Sequence, residues 1–159
     1  MSEPILRRAR PDDAAELTAL TIRSKAYWGY SQEFMQKALL YLKVSVEHIE
    51  TEHIYLIETG GKIAGYYQMH ERIPGVMWLE SLFVLPERIG KGFGAQLMHH
   101  AIDLARSLGY RRMEWESDPN AEAFYVRFGA VTFAQRESGI QKGRMLPQMR
   151  LELNPPSPS

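Results

Sequence analysis

The sequence predicts one mixed α/β domain, and three observations predict it. Apolar residues recur with helical spacing in some segments and strand spacing in others, in the order strand, two helices, three strands, helix, strand, helix, two strands. Of the 159 residues, 45% are hydrophobic, enough to fill a core of ordinary size without cross-links. Neither a repeat nor a linker-like stretch interrupts residues 1–153, which therefore read as a single domain.

Ile5 to Arg10 reads as a short first strand. Pro11-Asp12-Asp13 then opens a helix, because proline suits the first turn and carboxylates favour the positive end of the helix dipole. That helix, Ala14 to Lys25, carries Leu17, Leu20 and Ile22 and is broken by Tyr27-Trp28-Gly29-Tyr30. Ser31 caps a second helix running to Leu42, where Phe34, Ala38 and Tyr41 recur at i, i+4 and i+7. Phe34 and Tyr41 are expected in the core. His53 to Thr59 and Lys62 to Glu71 flank Gly60-Gly61, a strong hairpin signal. Pro74-Gly75 turns the chain again, and Val76 to Leu85 returns as the third strand of a meander that Pro86 ends. Leu97, Ala101, Leu104, Ala105 and Leu108 then share one helical face, closed by Gly109. Arg111 to Glu116 is a strand, Ala121 to Phe128 a short helix, and Val131 to Gln135 and Met145 to Leu153 the last two strands. Residues 154–159, with Pro155, Pro156 and Pro158, form a disordered tail in this reading.

Composition narrows the function. Lys plus Arg and Asp plus Glu both number 19, so the net charge is zero and nucleic acid is not an expected partner. The absence of cysteine excludes disulfides, thiolate metal sites and cysteine nucleophiles. His99 and His100 are neighbours about 100° apart on a helix and cannot readily converge on one metal, so they are read as solvated or capping histidines and no metal is expected. No segment approaches the roughly 18 apolar residues of a membrane span, and Met1-Ser2-Glu3-Pro4 lacks a secretory pattern. The expectation is a cytoplasmic protein without a membrane partner.

The most informative segment is Arg88-Ile89-Gly90-Lys91-Gly92-Phe93-Gly94-Ala95, between a strand and the long amphipathic helix. Alternate glycines let the backbone approach a ligand, and the helix start presents unpaired N–H groups and positive potential. Lys91 adds a mobile cation. Together these form a phosphate cradle. Gly90-x-Gly92-x-x-Ala95 also fits a dinucleotide fingerprint, with Glu114 at the distance of a ribose holder. A Rossmann unit, however, alternates parallel strands and helices from its first strand, and this loop follows a meander.

A second segment, Ser117-Asp118-Pro119-Asn120-Ala121-Glu122-Ala123-Phe124-Tyr125, opens a short helix with Tyr125 about one turn inside. With the glycine turn one strand earlier, the chain resembles the GNAT superfamily of acyl-CoA-dependent N-acyltransferases, most strongly from Leu82 to Ala130. Gly92 and Gly94 match the family's loop, and Ile89 stands where that loop carries Gln or Arg. Ala121 and Tyr125 match the later signature, in which either Asp118 or Asn120, with Asn120 preferred, contacts the pantetheine arm. The resemblance implies a central, mostly antiparallel sheet of about seven strands with one splayed parallel pair, flanked by about four helices. It also implies acetyl-CoA, its pyrophosphate over Ile89, Gly90, Lys91, Gly92, Phe93, Gly94 and Ala95 and its arm beside Phe83, Val84 and Leu85. A homodimer is common in that superfamily.

An alkylamine with a pKa near 10.4 is only about one part in two thousand neutral at pH 7, so acyl transfer to it needs a base. Glu80 is the first candidate and Glu116 the second. The departing thiolate, with a pKa near 8.5, needs a proton, and the resemblance assigns that role to Tyr125, uphill by about 2 kcal/mol. Trp28, Tyr30, His70, Trp78 and Glu116 are read as lining the pocket of a small-molecule or peptide amine. An acyl-CoA sensor without catalysis is the second functional reading, motivated by Ile89; a dinucleotide-binding oxidoreductase is the third.

Overall fold

A computed structural model describes residues 3–153, so the expected tail at 154–159 lies outside the described residues. The described residues form two compact units, residues 3–69 with 81–100 and residues 70–80 with 101–153.

The first unit begins with β1 (Ile5–Arg8), a 3-10 turn at Pro11–Asp13 and α1 (Ala14–Ala26). Next come α2 (Gln32–Leu42), α3 (Val46–Thr51) and β2 (His53–Thr59). β3 (Lys62–Ile73), β4 (Val76–Val84) and α4 (Phe93–Ser107) contribute the parts that fall within its bounds. β1 pairs with β2 and β2 with β3, both antiparallel, and Thr59 faces Lys62 across Gly60 and Gly61. Both glycines have positive φ, +60° and +79°, the backbone a two-residue hairpin needs. The core gathers Leu17, Leu20, Ile54, Leu56, Ile63 and Tyr66.

The buried stripe of α1 is Leu17, Leu20, Thr21 and Ser24, while Ile22 is only half-buried. Two polar residues tolerate that burial because each is bonded: Thr21 donates to Leu17 O at 2.7 Å and meets the Tyr66 hydroxyl, and Ser24 donates to Val84 O at 3.0 Å. This explains why the helix reads as only partly amphipathic.

On β3, a Cβ at Gly65 would lie 2.9 Å from the Phe83 carbonyl oxygen and 3.1 Å from Leu97 Cδ1. Gly65→Ala is therefore expected to push β3 away from the end of β4 and cost about 1–3 kcal/mol. Urea unfolding reads that loss, and an unchanged midpoint would contradict it.

The second unit contains the turn of the β3–β4 hairpin, the end of α4 and β5 (Arg112–Glu116). It continues with a 3-10 turn at Pro119–Ala121, α5 (Glu122–Val126), β6 (Val131–Glu137) and β7 (Met145–Glu152). β4 and β5 run parallel, and their ladder covers only Val76–Trp78 against Arg112–Glu114. β7 pairs antiparallel with both β5 and β6. Met113 and Trp115 of β5 are buried, while Arg112, Glu114 and Glu116 alternate onto the other face. The strand order is β1-β2-β3-β4-β5-β7-β6, a seven-stranded, mostly antiparallel sheet with one parallel pair.

Several boundaries differ from expectation. The first strand stops at Arg8, β3 reaches Ile73, β6 reaches Glu137, and the helix expected at Ala121–Phe128 divides into a 3-10 turn and α5. The additional helix is α3. Ser45 caps it by accepting from the His48 N–H at 3.0 Å, and Ile49 is its single buried residue, too little for a periodic signal. Tyr41 is 76% exposed rather than in the core. It lies in the last turn of α2, where Leu39 and Leu40 are also exposed and only Phe34 and Ala38 are covered. No helix among the described residues is long and apolar enough to cross a membrane.

Candidate functional site

In the first unit, β4 leads into a 3-10 turn at Pro86–Arg88 and then the glycine segment. Gly90 and Gly92 both have φ of +84°, and a Cβ on either would meet open space. Glycine is required there by the backbone conformation, not by crowding. The first helical bond of α4 runs from Gln96 N–H to Gly92 O at 3.1 Å, so the Phe93, Gly94 and Ala95 amides precede the ladder as donors. The Ile89 and Lys91 amides are instead bonded to Pro86 O and Arg88 O, each at 3.3 Å. The donor run thus concentrates on the helix start. Ile89 and Lys91 side chains are exposed, and Phe93 is buried as an anchor.

Immediately upstream, the Leu85 N–H donates to Ala64 O at 2.8 Å, while the Val84 carbonyl accepts from Ser24. Two of the main-chain groups expected to meet a pantetheine arm are thus engaged within the protein. Arg23 pairs with Glu87 at 2.8 Å, an exposed contact worth little by itself. In the α1–α2 connection, Trp28 is 47% exposed and Tyr30 stacks on Phe34 at 4.1 Å, with the Lys25 ammonium 5.1 Å from the Tyr30 ring. His100, read as a solvated or capping histidine, is instead hydrogen-bonded through Nδ1 to the buried Tyr67 hydroxyl at 2.8 Å and lies beside Tyr55. Burial pushes the Tyr67 phenol far above its ordinary range, so it stays protonated.

In the second unit, His70, Trp78 and Glu80 come together. The Trp78 indole N–H donates to Glu80 Oε2 at 2.7 Å, and His70 Nε2 lies 3.5 Å from the same oxygen. Spacing of two along a strand places Trp78 and Glu80 on one face. Arg72, which the sequence reading did not single out, lays its guanidinium 4.0 Å from the Trp78 ring centre. The spacing His70-x-Arg72 is the signal that was available for it.

The other predicted residues of this unit have defined partners. Glu116 accepts from Arg136 Nε at 2.6 Å and from Gln148 Nε2 at 3.1 Å. Glu114, the ribose holder of the dinucleotide reading, is held by Arg112 at 2.7 Å. Asp118 caps the 3-10 turn, accepting from the Asn120 main chain and side chain, both at 2.9 Å, and pairs with Arg144 at 2.9 Å. Asn120 itself is exposed. Tyr125 is buried, 4.9 Å from the Trp115 ring and edge-on to Phe124. Burial first, and the Asp118 charge second, push its phenol well above the ordinary value. Among the described residues no cluster of His, Asp and Glu could hold a metal ion.

The fold is shared with solved N-acetyltransferases. PaiA N-acetyltransferase from Thermoplasma acidophilum, solved in complex with coenzyme A, matches with a TM-score of 0.80 at 14% identity, over 95% of this chain and 99% of that one. The ribosomal-protein-S18-alanine N-acetyltransferase of Escherichia coli matches with a TM-score of 0.72 at 17% identity, over 96% of this chain and 95% of that one. At such identities the likeness is one of fold. In sequence, the chain is 26% identical over 118 residues to the uncharacterized N-acetyltransferase YhfO of Bacillus subtilis (strain 168), covering 71% of this chain and 78% of that protein. The model of the acetyltransferase (GNAT) family matches residues 17–130, which include the glycine turn, Glu80 and Tyr125. The chain therefore belongs to the acetyltransferase (GNAT) family and is an acyltransferase.

Proposed function

We propose that this chain transfers an acetyl group from acetyl-CoA to a primary amine by direct attack, residues 1–153 acting as one catalytic domain. The observation that carries the reading is the run of amide donors at Phe93, Gly94 and Ala95, preceded by the positive-φ turns at Gly90 and Gly92. Those groups fit a diphosphate: donors cluster at a helix start, and open space surrounds both glycines. Lys91, exposed on the same turn, supplies a cation to it.

When bound, acetyl-CoA supplies the thioester carbonyl, so that a C–N bond forms, the C–S bond breaks and one proton is released per turnover. Glu80 receives the proton of the ammonium through its carboxylate. The Trp78 N–H holds that carboxylate in one orientation, and His70 stands beside it. Tyr125 delivers a proton to the leaving sulfur from its hydroxyl. Glu116 is the weaker base candidate, because Arg136 and Gln148 already hold it. The reading requires no metal, nucleic acid, membrane or second copy of the chain, and a cytoplasmic location suits it.

Titrating acetyl-CoA while following thermal unfolding tests the proposal. Saturation near 100 times Kd is expected to stabilise the fold by about 2.7 kcal/mol, a rise of about 5–10 °C in Tm. Gly92→Ala forces a side chain into a left-handed backbone and is expected to weaken that response at a given concentration. No shift at millimolar acetyl-CoA would remove the reading. Binding without thiol release across a broad amine panel would favour a sensor.

A further inference from the structure

We infer that the acceptor is an α-amino acid, its ammonium at Glu80 and its carboxylate at Arg72, across the indole of Trp78. The inference rests on the reading of Glu80 as the group that takes the amine's proton.

Charge pairing on this sheet face supports it. Glu114 is held by Arg112 and Glu116 by Arg136, so both are neutralised within the protein. Arg72 and Glu80 depart from that pattern. Among the described residues Arg72 makes no ion pair; its guanidinium is exposed and lies on the Trp78 ring. Glu80 receives an indole N–H and stands near His70, with no guanidinium or ammonium of the protein upon it. Trp78 keeps the two charges apart, because its face carries the cation while its N–H edge holds the anion.

A carboxylate with no guanidinium or ammonium upon it and a guanidinium with no carboxylate, both against one indole, complement a ligand with both charges. A simple amine would satisfy Glu80 and leave Arg72 without a partner. An amino acid satisfies both, with the guanidinium offering a fork of donors to the carboxylate.

The test compares free-thiol release from acetyl-CoA with the twenty amino acids and with their decarboxylated counterparts, for example phenylalanine against phenethylamine. At least one amino acid is expected to exceed its matched amine by about tenfold or more in kcat/KM. Arg72→Gln should reduce that preference to about onefold, chiefly through the KM of the amino acid. Equal use of both members of each pair, acetylation of no amino acid, or a preference that survives Arg72→Gln would overturn the inference. Glu80→Gln separates the underlying reading: it should slow both members of a pair alike and leave their ratio in place. Unchanged rates in Glu80→Gln would sink the base assignment and with it the ammonium's place at Glu80, whereas loss of the preference in Arg72→Gln reads the carboxylate's place independently.

Discussion

Tyr125→Phe is expected to fold as the parent does, bind acetyl-CoA with little change and turn over about a hundredfold or more slowly. Folding should survive because the phenyl ring retains the contacts with Trp115 at 4.9 Å and Phe124 at 5.2 Å. Turnover should fall because the hydroxyl is the proposed proton donor to the leaving sulfur. In water a phenol of pKa near 10 gives a proton to a thiolate of pKa near 8.5 at a cost of about 2 kcal/mol. Burial raises the Tyr125 phenol further and widens that gap. The same low-dielectric surroundings would raise the thiol as well, so the gap narrows again once both groups share them. The raised value also sets the pH dependence: Tyr125 remains protonated above pH 10, so it should place no alkaline limb on kcat below that pH. Steady-state kcat and KM across pH check the claim. An unchanged kcat in Tyr125→Phe would remove Tyr125 from the acid role, and an alkaline limb below pH 10 that this substitution abolishes would contradict the raised phenol.

Asp13→Ala should produce the largest loss of stability, about 2–3 kcal/mol, or a fall of about 5–10 °C in Tm. Arg7 grips both carboxylate oxygens, at 2.9 and 3.0 Å, and the Arg10 amide donates to Oδ2 at 2.7 Å. The side chains of Arg7 and Asp13 are only 20% and 12% exposed, so solvent replaces little of what is lost. Arg7 would keep Glu58, at 2.9 Å, as its single carboxylate partner. The pH dependence follows from the Arg7 hydrogen bond, which is the largest cause holding the Asp13 carboxyl below its ordinary 3.8. Its stabilisation is complete above that unfolded value and is lost as pH falls through the lower folded value. The parent should therefore show a steeper acid limb of stability than Asp13→Ala. Equal limbs, or equal midpoints at pH 7, would contradict the assignment.

Local features were legible. Gly60-Gly61, Gly90-x-Gly92 and the cap at Ser31 announce themselves because each needs a backbone angle or side-chain acceptor within a few residues. The long face of α4 was equally plain, with Leu97, Ala101 and Ala105 fully covered. For the candidate site, the sequence offered residue types but not their pairing. Trp78, Glu80 and His70 were recognisable as polar and aromatic residues near the glycine turn. Nothing in their order along the chain shows that one indole N–H holds the carboxylate, or that Arg72 covers the ring. Tyr41 misled because a helical stripe marks a face without saying how far its neighbours reach.

By itself the sequence determined where the chain turns, which helix starts on exposed amides, and the family whose pattern it carries, because these depend on dihedral limits and short spacings. Tertiary structure decided which charges are spent inside the protein: Arg7 on Asp13 and Glu58, Arg136 on Glu116, Arg144 on Asp118. Most of those partners lie tens of residues apart, and strand register with chain packing brings them within a hydrogen bond of each other. A charge's availability to a ligand is therefore a property of the folded neighbourhood, since it depends on which opposite charge arrives first.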